Sequence, residues 1–187
     1  MGAGFTGVMT KPRAQRLPGR GRGLSFGVMD AESLFRDHHD DLFRYLLWYT
    51  GDEDQAADVV QETFLRLLSR PPARPGDVRP WLFKVATNVV RDGWRRQRDL
   101  QPLDAHHRSS DDPVAELEGA ERRRWVRRAL QHLSARLRGV LLMREQGFTH
   151  VEIGEMLGIS SNSVGPLAAR AMVRLERALR QESGGEL

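Results

Sequence analysis

The chain has 187 residues, a formal net charge of +4, 40% hydrophobic residues and no cysteine, which leaves room for one medium domain or two small ones. Without cysteine there are no disulfides or thiolate metal sites, and without a run of ~18 apolar residues nothing is long enough to span a membrane; both fit a cytoplasmic protein. Arginine outnumbers lysine 27 to 2, which codon bias explains as readily as a need for forked donors, so the arginine count is not read as function.

The charge is partitioned. Residues 1–28 carry Lys11, Arg13, Arg16, Arg20 and Arg22 and no acid, so the remainder nets −1. This Gly-, Pro- and Arg-rich stretch has no apolar period and no signal-peptide core, and is expected to be disordered. It is either a weak basic tail or lies upstream of a true start near Met29, and we favour the second.

Order is expected from Asp30, an N-cap, through an apolar face of Leu34, Phe35, Leu42, Phe43, Leu46 and Leu47, with Gly51 ending the helix near Thr50. A second helix is capped by Asp52 or Asp54. It carries Ala56, Val59, Val60, Phe64, Leu67 and Leu68 on one stripe and stops before Pro71. Residues 30–70 hold ten acids against Arg36, Arg44, Arg66 and Arg70, a net of −6. Nucleic acid is repelled from such a face, so its natural partner is a basic protein surface; a merely solvated face is the bland alternative.

Arg79 to Arg98 has the opposite character. Pro80 can open a helix in which Leu82, Val85, Ala86, Val89 and Val90 form the core stripe. Arg79, Lys84, Arg91, Arg95, Arg96 and Arg98 oppose a single acid, Asp92, with Trp81, Phe83 and Trp94 interleaved and Asn88 in mid-helix. Cations follow a nucleic-acid backbone, and aromatic faces and an amide can hold unstacked bases, so this composition suits melted nucleic acid. A buried helix with a solvated basic edge is the alternative.

Residues 99–112 are polar and aperiodic, hence a linker. His106 and His107 lie there beside Asp104, Asp111 and Asp112, but their spacing matches no metal site. A second lobe is expected over 113–182, with 183–187 a disordered tail. It opens with a helix from Pro113 to about Leu133. Ser134 caps the next, with Leu137, Val140, Leu141 and Leu142 inward and Gly147 as the stop. Thr149 to Glu152 is a capping box opening a short helix to Leu157. Gly158-Ile159-Ser160 and the following helix to about Arg180 complete a helix-turn-helix whose interior is Ile153, Leu157, Ile159, Val164 and Leu175. The fold class is therefore all-α, two small helical lobes (29–98 and 113–182) joined by a flexible linker.

Three segments in order, AADVVQETFLRLL (56–68), PWLFKVATNVVRDGWRR (80–96) and LSARLRGVLLMREQGFTHVEIGEMLGIS (133–160), resemble the extracytoplasmic-function (ECF) group of bacterial RNA polymerase sigma factors over about residues 30–180. The resemblance implies that Asp58, Gln61, Glu62, Phe64 and Leu65 dock on the clamp helices of the largest polymerase subunit, with a further contact to the flap region. It assigns Trp81, Phe83, Lys84, Asn88, Arg91, Arg95 and Arg96 to the melted −10 element, with Asn88 in the base-binding position. Thr149, Ser161, Asn162, Ser163, Arg170 and Arg174 fall to the −35 duplex. It also implies an anti-sigma partner and no cofactor, metal or catalytic residue. A stand-alone helix-turn-helix regulator is the second reading, which the acidic 52–70 helix disfavours because a repressor needs no such docking face. No carboxylate cluster, nucleophile–base pair or phosphate-cradling loop supports an enzyme.

One departure matters. Family recognition helices begin with a run like TVKSRLSRAR, whereas residues 163–172 read SVGPLAARAM, with Gly165, Pro166 and Leu167 in place of two cations and a hydroxyl. If Ser160 is the N-cap, Pro166 falls in the second turn, where it cannot donate to the Asn162 carbonyl and crowds it. A start near Ser163 removes that conflict, so the later start or a kink is expected.

Overall fold

The computed structural model describes residues 31–100 and 117–183. They form seven α-helices, α1 (Ala31–Thr50), α2 (Glu53–Ser69), α3 (Val78–Leu100), α4 (Leu117–Gln131), α5 (Ala135–Glu145), α6 (His150–Leu157) and α7 (Ser161–Glu182), with a 3-10 turn at Pro75–Asp77 and no strand among the described residues. The basic stretch 1–28, Asp30, His106, His107 and the residues from Pro113 to Glu116 lie outside the described residues.

Local signals set most boundaries. Gly51 takes φ +79, a left-handed turn natural to glycine, and Asp52 accepts a 2.8 Å bond from the Gln55 amide to cap α2. Gly147 and Gly158 close α5 and α6 in the same left-handed region. The capping box is present at α6: the Thr149 hydroxyl accepts from the Glu152 amide, and the Glu152 carboxylate accepts from the Thr149 amide at 2.8 Å. α3 begins two residues before Pro80, because Val78 is buried and pulls the first turn onto the core. Pro80 remains in that first turn, where its missing N–H is not needed. The same helix continues to Leu100, past the expected linker boundary at Asp99.

The expected apolar stripes are mostly buried, with instructive exceptions. Leu42, Leu46, Ala56, Val60, Leu67, Leu82, Ala86 and Val90 are in the core, but Phe35 is 44% exposed and Leu68 62% exposed. Tyr45, Tyr49, Phe83 and Thr87, which the stripes omit, are buried instead. The Thr87 hydroxyl donates back to the Phe83 carbonyl, so the Tyr45 hydroxyl donates to Thr87, at 2.8 Å across α1 and α3.

The two lobes share one core. Val140, Met143, Phe148, Ile153, Met156 and Leu157 of the second lobe are continuous with Leu42, Tyr49, Leu82 and Phe83 of the first. Phe148 meets Phe83 edge-on at 4.9 Å between ring centroids, and α1 and α3 are packed against α5 and α6. Burial of this many apolar side chains at about 25 cal/mol per Å² makes the junction a cohesive part of the fold.

Candidate polymerase and promoter interfaces

α1 and α2 enclose an apolar groove on the acidic side of the first lobe. Phe35 and Phe64 meet across it at 4.9 Å between rings, His39 stacks between Phe35 and Phe43, and Leu65 and Leu68 stand 55% and 62% exposed at its edge. Asp58 and Gln61 are exposed on its rim. Glu62, four residues from Asp58, is held by Arg66 at 2.8 Å, an exposed pair worth well under ~1 kcal/mol that a better cation can displace. An exposed apolar patch rimmed by acids is the signature of a surface that receives an amphipathic, basic partner. The structure thus brings four of the five sequence-predicted docking residues, Asp58, Gln61, Phe64 and Leu65, to one groove, while Glu62 is turned to Arg66 outside its lining.

On α3 the structure sorts the predicted residues into two sets. Lys84, Asn88, Arg91 and Arg95 follow one another at intervals of four, three and four, so they form one exposed stripe, with Arg96 beside it and the half-buried Trp81 at its head. At 1.5 Å per residue the stripe is about 16 Å long, enough to follow two or three phosphates. Arg95 is drawn toward Asp92 at 3.2 Å. Phe83 does not belong to this surface. It is 1% exposed, with its ring against Tyr45 and Phe148, so it packs the lobe junction and cannot stack on a base here.

Arg79, counted among the basic residues of the helix, is also turned inward. It donates to the Gln146 carbonyl at 2.7 Å and its guanidinium lies 4.2 Å from the centre of the Phe148 ring. Burial lowers its pKa, and Asp41 and Glu152 oppose that shift. Arg138 is its counterpart from the second lobe, and no sequence pattern singled it out. It is 5% exposed, and its guanidinium donates to the carbonyls of Leu130, Gln131 and Leu133 and to the Tyr49 carbonyl at the end of α1. Its charge lies 5.6 Å from the Trp94 ring centre, and burial pulls its pKa down to about 10. Tyr49 stacks on Trp94 at 5.4 Å, and burial pushes its phenol up to about 12. Two arginines, one from each lobe, therefore satisfy helix-end carbonyls of the other lobe.

The helix-turn-helix is formed by α6 and α7. Gly154 allows its close crossing: a Cβ there would sit 2.8 Å from the Ile159 carbonyl oxygen, backbone that cannot yield. The motif therefore needs glycine at Gly154 as well as in the left-handed turn at Gly158. α7 starts at Ser161 with Ser160 as N-cap, which corrects the expected start near Ser163. The Ser163 amide bonds the Ser160 carbonyl at 2.9 Å, a 3-10 closure of the first turn, and Pro166 lies within the helix. The loss of one ladder bond at Asn162 is tolerated because Val164, Ala168 and Ala171 anchor the helix in the core. Asn162, Ser163, Arg170 and Arg174 are exposed and Ser161 is half-buried. The Thr149 hydroxyl is engaged with Glu152 at 2.7 Å.

An acid-rimmed apolar groove, a basic stripe holding an amide and a helix-turn-helix stand together in one all-α chain, the composition of a transcription factor. Residues 34–99 match Sigma-70 region 2 and residues 123–175 match Sigma-70 region 4. The chain is 35% identical over 139 residues to the ECF RNA polymerase sigma factor SigL of Mycobacterium tuberculosis, covering 71% of this chain and 78% of SigL. It is 31% identical over 159 residues to the RNA polymerase sigma factor CarQ of Myxococcus xanthus, covering 82% and 91%. Its fold resembles the sigma factor RpoE in the complex with the anti-sigma factor NepR from Bartonella quintana, with a TM-score of 0.70 at 22% identity over 82% of this chain and 98% of that one. CnrH in complex with the cytosolic domain of CnrY gives a TM-score of 0.58 at 24% identity, covering 81% and 88%. The chain belongs to the ECF group of RNA polymerase sigma factors, which act in transcription initiation as regulators rather than enzymes. No helix among the described residues is long and apolar enough to cross a membrane.

Proposed function

We propose that this sigma factor docks on core polymerase through the α1–α2 groove, holds the melted −10 strand on α3 and the −35 duplex on the helix-turn-helix, and catalyses no reaction itself. The observation that carries this reading is the α3 stripe, in which Asn88 is flanked by Lys84 and Arg91 on an exposed face: cations bind the backbone of a separated strand while the amide meets a base edge. Trp81 supports the stripe at its head. Asp58, Gln61, Glu62, Phe64 and Leu65 receive the clamp helices of the largest subunit, and a flap contact falls to the second lobe. An anti-sigma factor is the expected inhibitor, since the similar fold of RpoE was solved with the anti-sigma factor NepR. The workplace is the cytoplasm, where polymerase is.

The promoter also dictates a conformational change. Elements named −35 and −10 are about 25 base pairs apart, roughly 85 Å of duplex at 3.4 Å per step. A folded body of this size is only roughly 40 Å across. The lobes therefore separate on promoter DNA, releasing the Arg79 and Arg138 contacts. Core polymerase supplemented with this protein should form open complexes on a subset of a genomic promoter library, and an absence of both open complexes and co-purification with core would overturn the assignment.

A further inference from the structure

We propose that residues 20–28 of this chain lie in the α1–α2 groove and cover it against core polymerase, making the N-terminal segment an internal competitor for the docking surface. This rests on the reading of that groove as the polymerase-docking site and adds its regulation.

The groove is open among the described residues. Leu65 and Leu68 are 55% and 62% exposed at its edge, and apolar surface of this kind calls for a cover. Phe35 meets Phe64, so the start of α1, one turn earlier, lies at the Leu68 end, and the N-terminal segment enters at the mouth of the groove. Asp58 stands on the rim, with Asp54 one turn before it on the same face of α2. Both are exposed and neither is in an ion pair with the described residues, whereas Glu32, Glu62, Asp92 and Glu176 each hold an arginine.

The segment has the complementary chemistry. Residues 1–28 carry five cations and no acid. Although the stretch as a whole has no apolar period, its last nine residues, RGRGLSFGV, alternate strictly: Arg20, Arg22, Leu24, Phe26 and Val28 are separated by Gly21, Gly23, Ser25 and Gly27. In an extended chain all five large side chains share one face and only glycine and serine occupy the other, which suits a strand laid in a groove. The lengths agree. Val28 to Arg22 spans about 20 Å at ~3.3 Å per residue, and Leu68 to Asp54 spans about 21 Å at ~1.5 Å per residue. With Val28 at Leu68, Phe26 and Leu24 run along Leu65 and Gln61, and Arg22 reaches Asp54 and Asp58. The segment joins α1 within three residues, so its effective concentration is in the ~mM range and a contact too weak to hold a free peptide suffices.

The test compares the full chain with the product of a start at Met29, which keeps all seven helices and lacks the segment. A segment that covers the groove about nine-tenths of the time lowers the apparent affinity for core about tenfold. The full chain should therefore bind core polymerase about tenfold more weakly than the 29–187 form, and Arg20→Glu with Arg22→Glu should recover most of that difference. Position is read by disulfide formation, since the chain has no cysteine of its own. Leu24→Cys with Gln61→Cys should link within the free full chain faster than a control pair of Leu24→Cys with Val173→Cys, the latter 67% exposed on α7, and core polymerase should slow the link. Equal core affinity of the two forms, or a link no faster than the control, overturns the proposal. A disulfide-joined dimer in place of the internal link assigns the groove to a second copy and overturns it as well, as does a cellular protein whose intact mass begins at Met29. If Asp58→Arg with Glu62→Arg leaves the core affinity of the 29–187 form unchanged, the docking reading fails, while the link in the free chain still decides whether the segment lies in the groove.

Discussion

α3 and α7 are the long amphipathic helices of their lobes, 23 and 22 residues, yet they present opposite chemistry to a nucleic acid. The exposed stripe of α3 runs Lys84, Asn88, Arg91, Arg95, a polar group at every turn. The matching stripe of α7 runs Ser163, Pro166, Arg170, Arg174, with Pro166 where a donor would stand and the half-buried Leu167 beside it packed on the core. Both helices bury an apolar face, Val78, Leu82, Phe83, Ala86 and Val90 on α3 and Val164, Ala168, Ala171 and Ala178 on α7, and they differ on the solvent side. On the proposed reading that difference corresponds to a separated strand held base by base and a duplex held by its backbone.

The largest effect tests whether both surfaces are held in one body before DNA is met. Arg138→Met keeps the apolar stem but takes a donor from four carbonyls, including that of Tyr49, of which the Leu130 carbonyl retains the Leu133 amide. Stability in urea should fall by about 3 kcal/mol, since buried groups stripped of a partner each cost ~1 to ~3 kcal/mol. A loss below ~1 kcal/mol means that the arginine is not what joins the lobes.

Next comes the contrast itself. Asn88→Ala should erase preference at one −10 base, at a cost of ~1 to ~3 kcal/mol in discrimination, while −35 base substitutions cost less than −10 substitutions. Equal penalties in a promoter-variant series would abolish the distinction between α3 and α7. Intact −10 preferences in the Asn88 variant would make the amide structural.

Reversing Asp58 and Glu62 together to Arg places like charges against a basic partner on an exposed face, so core binding should weaken about tenfold at moderate salt with unfolding unchanged. Equal affinity of this double variant would remove the groove from the docking surface.

The smallest effect is a titration at the junction beneath α3. Among the described residues the Tyr49 hydroxyl has no hydrogen-bond partner, and burial raises its pKa from 10.0 to about 12. The unfolded chain therefore releases this proton first. The contribution to stability is full below pH ~10 and is lost as pH climbs toward ~12, reaching about 1.4 kcal/mol at pH ~11. Tyr49→Phe should lose that much less between pH ~9 and ~11, and identical alkaline profiles would show that Tyr49 does not titrate there.

The helices, their caps and the separation of acidic from basic surface were legible in the sequence, because each is decided within a few residues. Asp52 and Thr149 cap their own first turns, and the period of apolar residues selects an inner face wherever that face ends up. The spacing of Lys84, Asn88, Arg91 and Arg95 likewise fixed their common exposure. Tertiary structure alone decided which buried faces meet. Arg79 looked like one more cation for DNA until its carbonyl partner, 67 residues away in the chain, was placed beside it, and Arg138 reaches a carbonyl 89 residues away. Phe83 and Leu68 exchanged their expected roles for the same reason: a helix's periodicity says which side is apolar, but only the packing of a second helix says whether that side is covered. The need for glycine at position 154 likewise arises from a crossing of helices, a relation between distant residues that no local pattern contains.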